Sequence, residues 1–293
     1  MSVKGLTETL PVEARHEVYP TIDPASAWAS QSFKGKAVFL TGGSRGIGRE
    51  TAITFAKAGA AVAVAARSEA KLEETKAAVL KEVPDAKVEK YVVDVKNTAQ
   101  VEAAVEAAAA AFGRLDVVIA NAGALTTFGK TMDEKPADGW WNTFEINVLG
   151  VYNTIRPAAK YLRKTNGTFI AISSLAAQLR WPGGSDYETS KHTVNRLIEF
   201  IAQENPTVKA FALHPGSVAT DIAQESGLIE QGMEMPDPAA LPASTMLYLA
   251  SGKADWLSGR YVESTWDLGQ VEREWKEKII EKDLLINKLD VVA

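Results

Sequence analysis

From Lys36 onward the chain alternates short β-type runs with longer segments of helical character, and few folds accept that pattern. The runs are Ala37 to Thr41, Ala61 to Ala66, Val88 to Asp94, Val117 to Ala120, Thr168 to Ser173 and Val208 to His214. Runs without polar alternation fit strands covered on both faces, which means a parallel sheet with helices on either side. Helical stretches are expected at Ile47 to Ala58, Glu69 to Glu82, Thr98 to Phe112, Trp140 to Arg163 and Tyr187 to Glu204, with Gly59 and Gly113 placed to stop two of them. The Ala-rich stretch Ala103 to Ala111 belongs to one of these helices, because Ala is the strongest helix former. No composition shift interrupts Lys36 to Asp267, so the 293 residues read as one α/β domain. Residues 1–34, with Pro11, Pro20 and Pro24 and no sustained period, read as an extension wrapped on the surface. Residues 268–293 read as a helical extension, with a charged helix near Val271 to Asp283.

Composition narrows the partners. A net charge of -5 without a basic stripe disfavours nucleic acid. There are no cysteines, so disulfides, thiolate nucleophiles and sulfur-based zinc sites are excluded, and a reducing compartment suits the chain. Met1 to Pro20 lacks the apolar stretch of a signal peptide, and no run approaches the ~18 residues of a membrane span. A cytoplasmic protein without membrane partners is expected. His16, His192 and His214 are not spaced with carboxylates as metal ligands, so no metal site is expected. No Gly-x-Ser-x-Gly elbow supports a serine hydrolase.

The first run leads directly into Thr41-Gly42-Gly43-Ser44-Arg45-Gly46-Ile47-Gly48 and then a helical pattern. Strand, glycine turn and helix in that order form a phosphate cradle: the backbone turns sharply and offers the N–H groups of a helix N-terminus to a pyrophosphate. The spacing of Gly42, Gly46 and Gly48 resembles the T-G-x-x-x-G-x-G loop of the short-chain dehydrogenase/reductase family. The resemblance covers roughly Lys36 to Asp267 and implies a single-domain Rossmann fold, a doubly wound parallel seven-stranded sheet with helices on both faces.

The resemblance orders the remaining motifs. Around the glycines, Gly42, Ser44, Arg45, Gly46, Ile47 and Gly48 are expected to bind the cofactor. The second strand ends in Ala65-Ala66-Arg67 with no carboxylate for a ribose 2′-hydroxyl, whereas Arg67 and Arg45 suit a 2′-phosphate. NADP(H) is therefore the expected cofactor. Asp94 and Val95 are expected against the adenine, Asn121-Ala122-Gly123 matches the family's N-A-G segment, and Pro215-Gly216 with Val218 and Thr220 matches the P-G-x-V-x-T run that contacts the nicotinamide amide. Ala120 stands where the family usually has a second Asn.

Tyr187 and Lys191 are four apart, hence on one face of a helix, and a nearby ammonium favours a phenolate. Bringing a tyrosine from about 10 to neutrality takes roughly 4 kcal/mol. With Asn147 in the earlier helix and Ser173-Ser174 ending a strand, the offsets resemble the family's tetrad. The implied roles are Tyr187 as general acid or base, Lys191 as its electrostatic partner and ribose anchor, Ser174 as donor to the carbonyl oxygen, and Asn147 as support for a proton-relay water. Ser173 is the reserve serine. Leu179 and Trp181 are expected beside the substrate, and about 221–241 is expected to form a lid. Trp140 and Trp141 suit core or interface packing, consistent with a homodimer or homotetramer. The implied activity is NADP(H)-dependent interconversion of a ketone or aldehyde and an alcohol, the small-molecule partner. Two alternatives stay open: non-redox biosynthetic chemistry such as cyclisation or epimerisation on the same fold, and a non-catalytic NADP(H)-sensing protein.

Overall fold

In a computed structural model, the structure describes residues 3–125, 128–230 and 232–289. Residues 1–2 of the N-terminal extension, 231 of the expected lid and 290–293 of the C-terminal extension lie outside the described residues. After a short helix α1 (Ala25–Ser30), strands β1 (Ala37–Thr41), β2 (Ala61–Ala66) and β3 (Val88–Val92) alternate with α2 (Gly46–Lys57), α3 (Glu69–Glu82) and α4 (Thr98–Phe112). The second half contains β4 (Val117–Ala120), α5 (Ala137–Phe144), α6 (Gly150–Thr165), β5 (Thr168–Ile172), α7 (Ser185–Glu204) and β6 (Lys209–His214). It ends with α8 (Asp221–Glu225), α9 (Ala240–Ala250), β7 (Arg260–Glu263) and α10 (Leu268–Glu281).

All seven strands are parallel in the order β3-β2-β1-β4-β5-β6-β7. Alternate side chains of β1 explain the two layers. Val38 and Leu40 join one core with Phe55, Met246 and Val271, while Phe39 joins the other with Val105, Leu162 and Ile198. Strand order reverses between β1 and β4, and the crevice beyond the carboxyl ends there is where this topology places a ligand.

Three expectations change in detail. The run through Asp94 stops as a strand at Val92, because Asp94 turns to accept the Lys96 N–H at 3.0 Å. The expected helix Trp140 to Arg163 is α5 and α6 joined by a π-helical turn, Glu145–Leu149. The N-terminal extension runs over the surface, yet buries Leu10, Tyr19, Ile22 and Phe33 in the core. Phe33 meets Phe55 edge-on at 5.2 Å, and Arg15 pairs with Asp267, the cap of α10. That last helix buries Leu268, Val271 and Ile279, and so belongs to the same core. No helix among the described residues is long and apolar enough to cross a membrane.

Candidate active site

The glycine turn between β1 and α2 is shaped by close approach. Gly42 has φ +68, and a Cβ on Gly48 would fall 2.2 Å from the Gly42 carbonyl oxygen. Alanine there must push the turn open, so Gly48→Ala is expected to weaken dinucleotide binding at least about tenfold, measured by titration. The start of α2 carries no side-chain cap, which leaves its first N–H groups free for an anion. Asn121 holds the turn from β4: its Nδ2 donates to the carbonyls of Thr41 at 3.1 Å and Gly42 at 3.0 Å. Ala122 N–H reaches Thr41 Oγ1 at 3.3 Å. These observations fit a dinucleotide: the Gly42, Gly46 and Gly48 cradle with the α2 N-terminus would hold its pyrophosphate.

The two arginines differ. Arg67 is exposed at the end of β2, with no ion pair among the described residues. Arg45 is engaged by Asp221 and, at 3.5 Å, by Glu225, both on α8. Asp94 is half-buried in its turn, and Val95 is buried against Gly150 of α6. Beyond β6, Gly216 has φ +91, and Thr220 caps α8 by accepting the Ala223 N–H at 3.4 Å. The side chain of Thr220 lies beside Gly46, so this loop closes over the glycine turn.

The structure brings the expected tetrad together. Tyr187 and Lys191 share one face of α7, with Lys191 Nζ 5.6 Å from the Tyr187 ring centroid. Ser174, two residues beyond β5, shares a hydrogen bond with Tyr187. The Ser174 oxygen already accepts the Ala176 N–H at 3.1 Å, which directs its own proton towards the tyrosine oxygen. Asn147 sits in the π turn, where the extra residue re-aims its side chain. It accepts the Ala124 N–H at 2.8 Å and donates to the Ala124 carbonyl at 2.9 Å and Ser190 Oγ at 3.0 Å. A Cβ on Gly123 would lie 3.4 Å from Asn147 Oδ1 and 3.6 Å from Lys191 Nζ, so a bare backbone separates the two.

The electrostatics differ from expectation. Burial pushes the Tyr187 phenol up, and the Ser174 hydrogen bond offsets only part of that. Burial lowers Lys191 to about 8, and its ammonium donates to the Ile172 carbonyl at 2.7 Å. Desolvation disfavours both charged forms here. The hydroxyl of Ser173, the reserve serine, donates to Asn195 Oδ1 at 2.6 Å within the core. His192 Nδ1 lies 3.0 Å from the Ala177 carbonyl, and burial takes His214 down to about 4.

Phe128, Trp181, Leu228, Gly232 and Met233 line a cavity of about 290 Å³. Phe128 and Trp181 meet edge-on at 5.3 Å. Leu179, expected with Trp181, lies outside that lining; its backbone is covered by Gly5. After α8, residues 226–230 and 232–239 are irregular until Ala240 and Leu241 begin α9. Sequence reading passed over Phe128 and Leu228, which sit in loops without a period. It also passed over Lys135, whose buried ion pair with Asp186 ties the start of α7 to the loop before α5. Thr143 Oγ1 donates to the same carboxylate at 3.1 Å.

A doubly wound parallel sheet, a glycine turn at its switch point and a Tyr-Lys pair beside it define a nucleotide-binding α/β protein of the dehydrogenase class. The chain belongs to the short-chain dehydrogenase/reductase family: the short chain dehydrogenase family model matches residues 36–230. The chain is 37% identical over 287 residues to the short chain dehydrogenase citE of Monascus ruber, covering 94% of this chain and 95% of that one. With the short chain dehydrogenase pigC of the same organism, identity is 36% over 280 residues, covering 92% of this chain and 90% of that one. Among solved structures, levodione reductase superposes with a TM-score of 0.74 at 27% identity, covering 83% of this chain and 100% of that one. The alcohol dehydrogenase from the archaeon Thermococcus sibiricus, complexed with 5-hydroxy-NADP, gives 0.67 at 26%, covering 78% of this chain and 95% of that one.

Proposed function

We propose that this chain is an NADP(H)-dependent oxidoreductase that interconverts an apolar ketone or aldehyde and its alcohol, with Tyr187 as general acid and base. The observation that carries the reading is the contact of Tyr187 with Ser174, together with the placing of Tyr187 and Lys191 on one face of α7. The nicotinamide, when bound, supplies or accepts the hydride. Tyr187 gives a proton to the forming alkoxide in reduction and takes it back in oxidation. Ser174 donates a hydrogen bond to the carbonyl oxygen, where negative charge develops. Lys191 places positive charge beneath the phenol, and Asn147 holds the Ala124 backbone and supports the water that returns the proton.

A cavity lined by Phe128, Trp181, Leu228 and Met233 suits an apolar or aromatic substrate body. The names of the reductase and alcohol dehydrogenase neighbours support the same reaction class. The exposed Trp141, Leu149, Tyr152 and Phe200 support self-association as a homodimer or homotetramer. The cytosol is the compartment that belongs to this reading.

The preference for NADP(H) rests on Arg67, since Arg45 is shared with the carboxylates of α8. A paired charge-assisted bond to a 2′-phosphate contributes about 2 kcal/mol. Arg67→Asp is therefore expected to raise KM for NADPH about thirtyfold while KM for NADH holds or falls. Equal constants for both cofactors before and after the change would remove the assignment. The activity itself is tested by NADPH oxidation across ketones, aldehydes and quinones. Binding without oxidation of any of them would favour the sensing or non-redox alternatives.

A further inference from the structure

Asp237, just before α9, lies against the loop that leads into α8. Asp237 pairs with Val218 as a parallel bridge, and its N–H donates to the Ser217 carbonyl at 3.1 Å. Its carboxylate is 1% exposed. Oδ2 accepts the Ser217 N–H at 2.5 Å, and Oδ1 meets Nδ1 of His16 at 2.7 Å. Gly216 makes the room: a Cβ there would fall 2.6 Å from Asp237 Oδ2. A buried carboxylate is costly unless its oxygens are met, and here both are, one by the loop of residues 215–220 and one by the N-terminal segment. That segment precedes residues 36–230, which the family model spans.

We propose that Asp237 is a positioning residue for the loop of residues 215–220, latched by His16, so that the N-terminal segment forms part of the active-site frame. The proposal rests on the reading of that loop as the nicotinamide-facing one. By holding Ser217, the carboxylate sets Thr220, which lies beside Gly46 and caps α8. Displacement of this loop by about an ångström moves the cofactor out of line with Tyr187, a misplacement that costs up to about a hundredfold in rate. The same segment touches the other wall of the site. Lys4 bridges Arg180, and Glu8 pairs with the Arg180 guanidinium, one residue from Trp181.

The test uses full-length Asp237→Ala, Asp237→Asn and His16→Ala proteins. Dissociation constants for NADPH come from fluorescence titration; kcat, both KM values and the deuterium isotope effect with 4-deuterated NADPH come from the most active carbonyl of the panel. Asp237→Ala is expected to lower kcat and weaken NADPH by about tenfold or more each, with a larger isotope effect. Asp237→Asn recovers most of both, because an amide oxygen still accepts the Ser217 N–H, and His16→Ala falls between. A purely structural residue would lower only the amount of active enzyme. Unchanged kcat, KM and isotope effect per active site in Asp237→Ala would therefore overturn the proposal, as would failure of Asp237→Asn to recover. If Asp237→Ala does not fold, unchanged constants in His16→Ala overturn the latch. A wild-type protein that binds NADPH without oxidising it marks failure of the functional reading instead, and the dissociation constants then decide the role of Asp237.

Discussion

Phenylalanine at Tyr187 is expected to lower turnover by about three orders of magnitude while NADPH binding stays within about twofold. The change removes one oxygen and leaves the ring that packs over Lys191 at 5.6 Å. General acid-base assistance contributes about a hundredfold to ten-thousandfold, and among the described residues the other polar atoms at this position cannot replace it. The Ser174 hydroxyl is a much weaker acid than a phenol, and Lys191 Nζ is directed at the Ile172 carbonyl. Stability should fall only by the loss of one neutral hydrogen bond to Ser174, about 1 kcal/mol. The check is kcat beside a cofactor titration and a melting curve on the same preparation. Turnover near the wild-type value would end the assignment of Tyr187 as acid and base; lost turnover together with lost NADPH binding would mean that the variant reports on the cofactor site.

The strands and helices of the βα core were legible because their signals are local. Continuous apolar runs mark β1, β2 and β4 to the residue, and α3 and α4 fill their expected bounds, with Gly113 stopping α4. The tetrad was legible for the same reason: Tyr187 and Lys191 are one helical turn apart, and Ser174 closely follows a strand. What escaped depends on contacts distant in sequence. Leu10, Tyr19, Ile22 and Phe33 follow no period, yet each enters a core built by strands and helices far along the chain. The π turn at Asn147 is a change in carbonyl register that residue types do not encode, and the neighbouring Asn147 bonds to Ala124 are what show its use. Arg45 read as a free phosphate ligand because Asp221 and Glu225 lie far beyond it in sequence. Phe128 and Leu228 come from separate loops, and only their meeting around one cavity identifies them.

Methionine at Lys191 is expected to abolish turnover and at the same time to raise the melting temperature. Lys191 is 4% exposed, and burial lowers its ammonium from 10.5 to about 8. At 1.36 kcal/mol per unit, keeping that charge in the folded protein at neutral pH costs about 3 kcal/mol. Methionine fills a similar volume without charge, and the Ile172 carbonyl loses one donor, a loss of about 1 kcal/mol. The net gain of about 2 kcal/mol corresponds to a melting temperature higher by roughly 3 °C in a chain of this size. Since the folded value lies below the unfolded one, the unfolded chain binds the extra proton between pH about 8 and 10.5, and this group's contribution to stability rises with pH across that window. The methionine variant lacks that rise, so its advantage should be full at pH 7 and shrink as pH climbs from about 8 towards 10.5. Tyr187, whose raised phenol works in the opposite direction at higher pH, is present in both proteins and cancels to first order. Melting curves across pH 6 to 10.5 on both proteins, with kcat at each point, separate the two contributions. A variant less stable than wild type at pH 7 would mean that the ammonium is a structural tie through Ile172. A more stable but inactive variant would mean that a charge is maintained against folding because the chemistry at Tyr187 requires it.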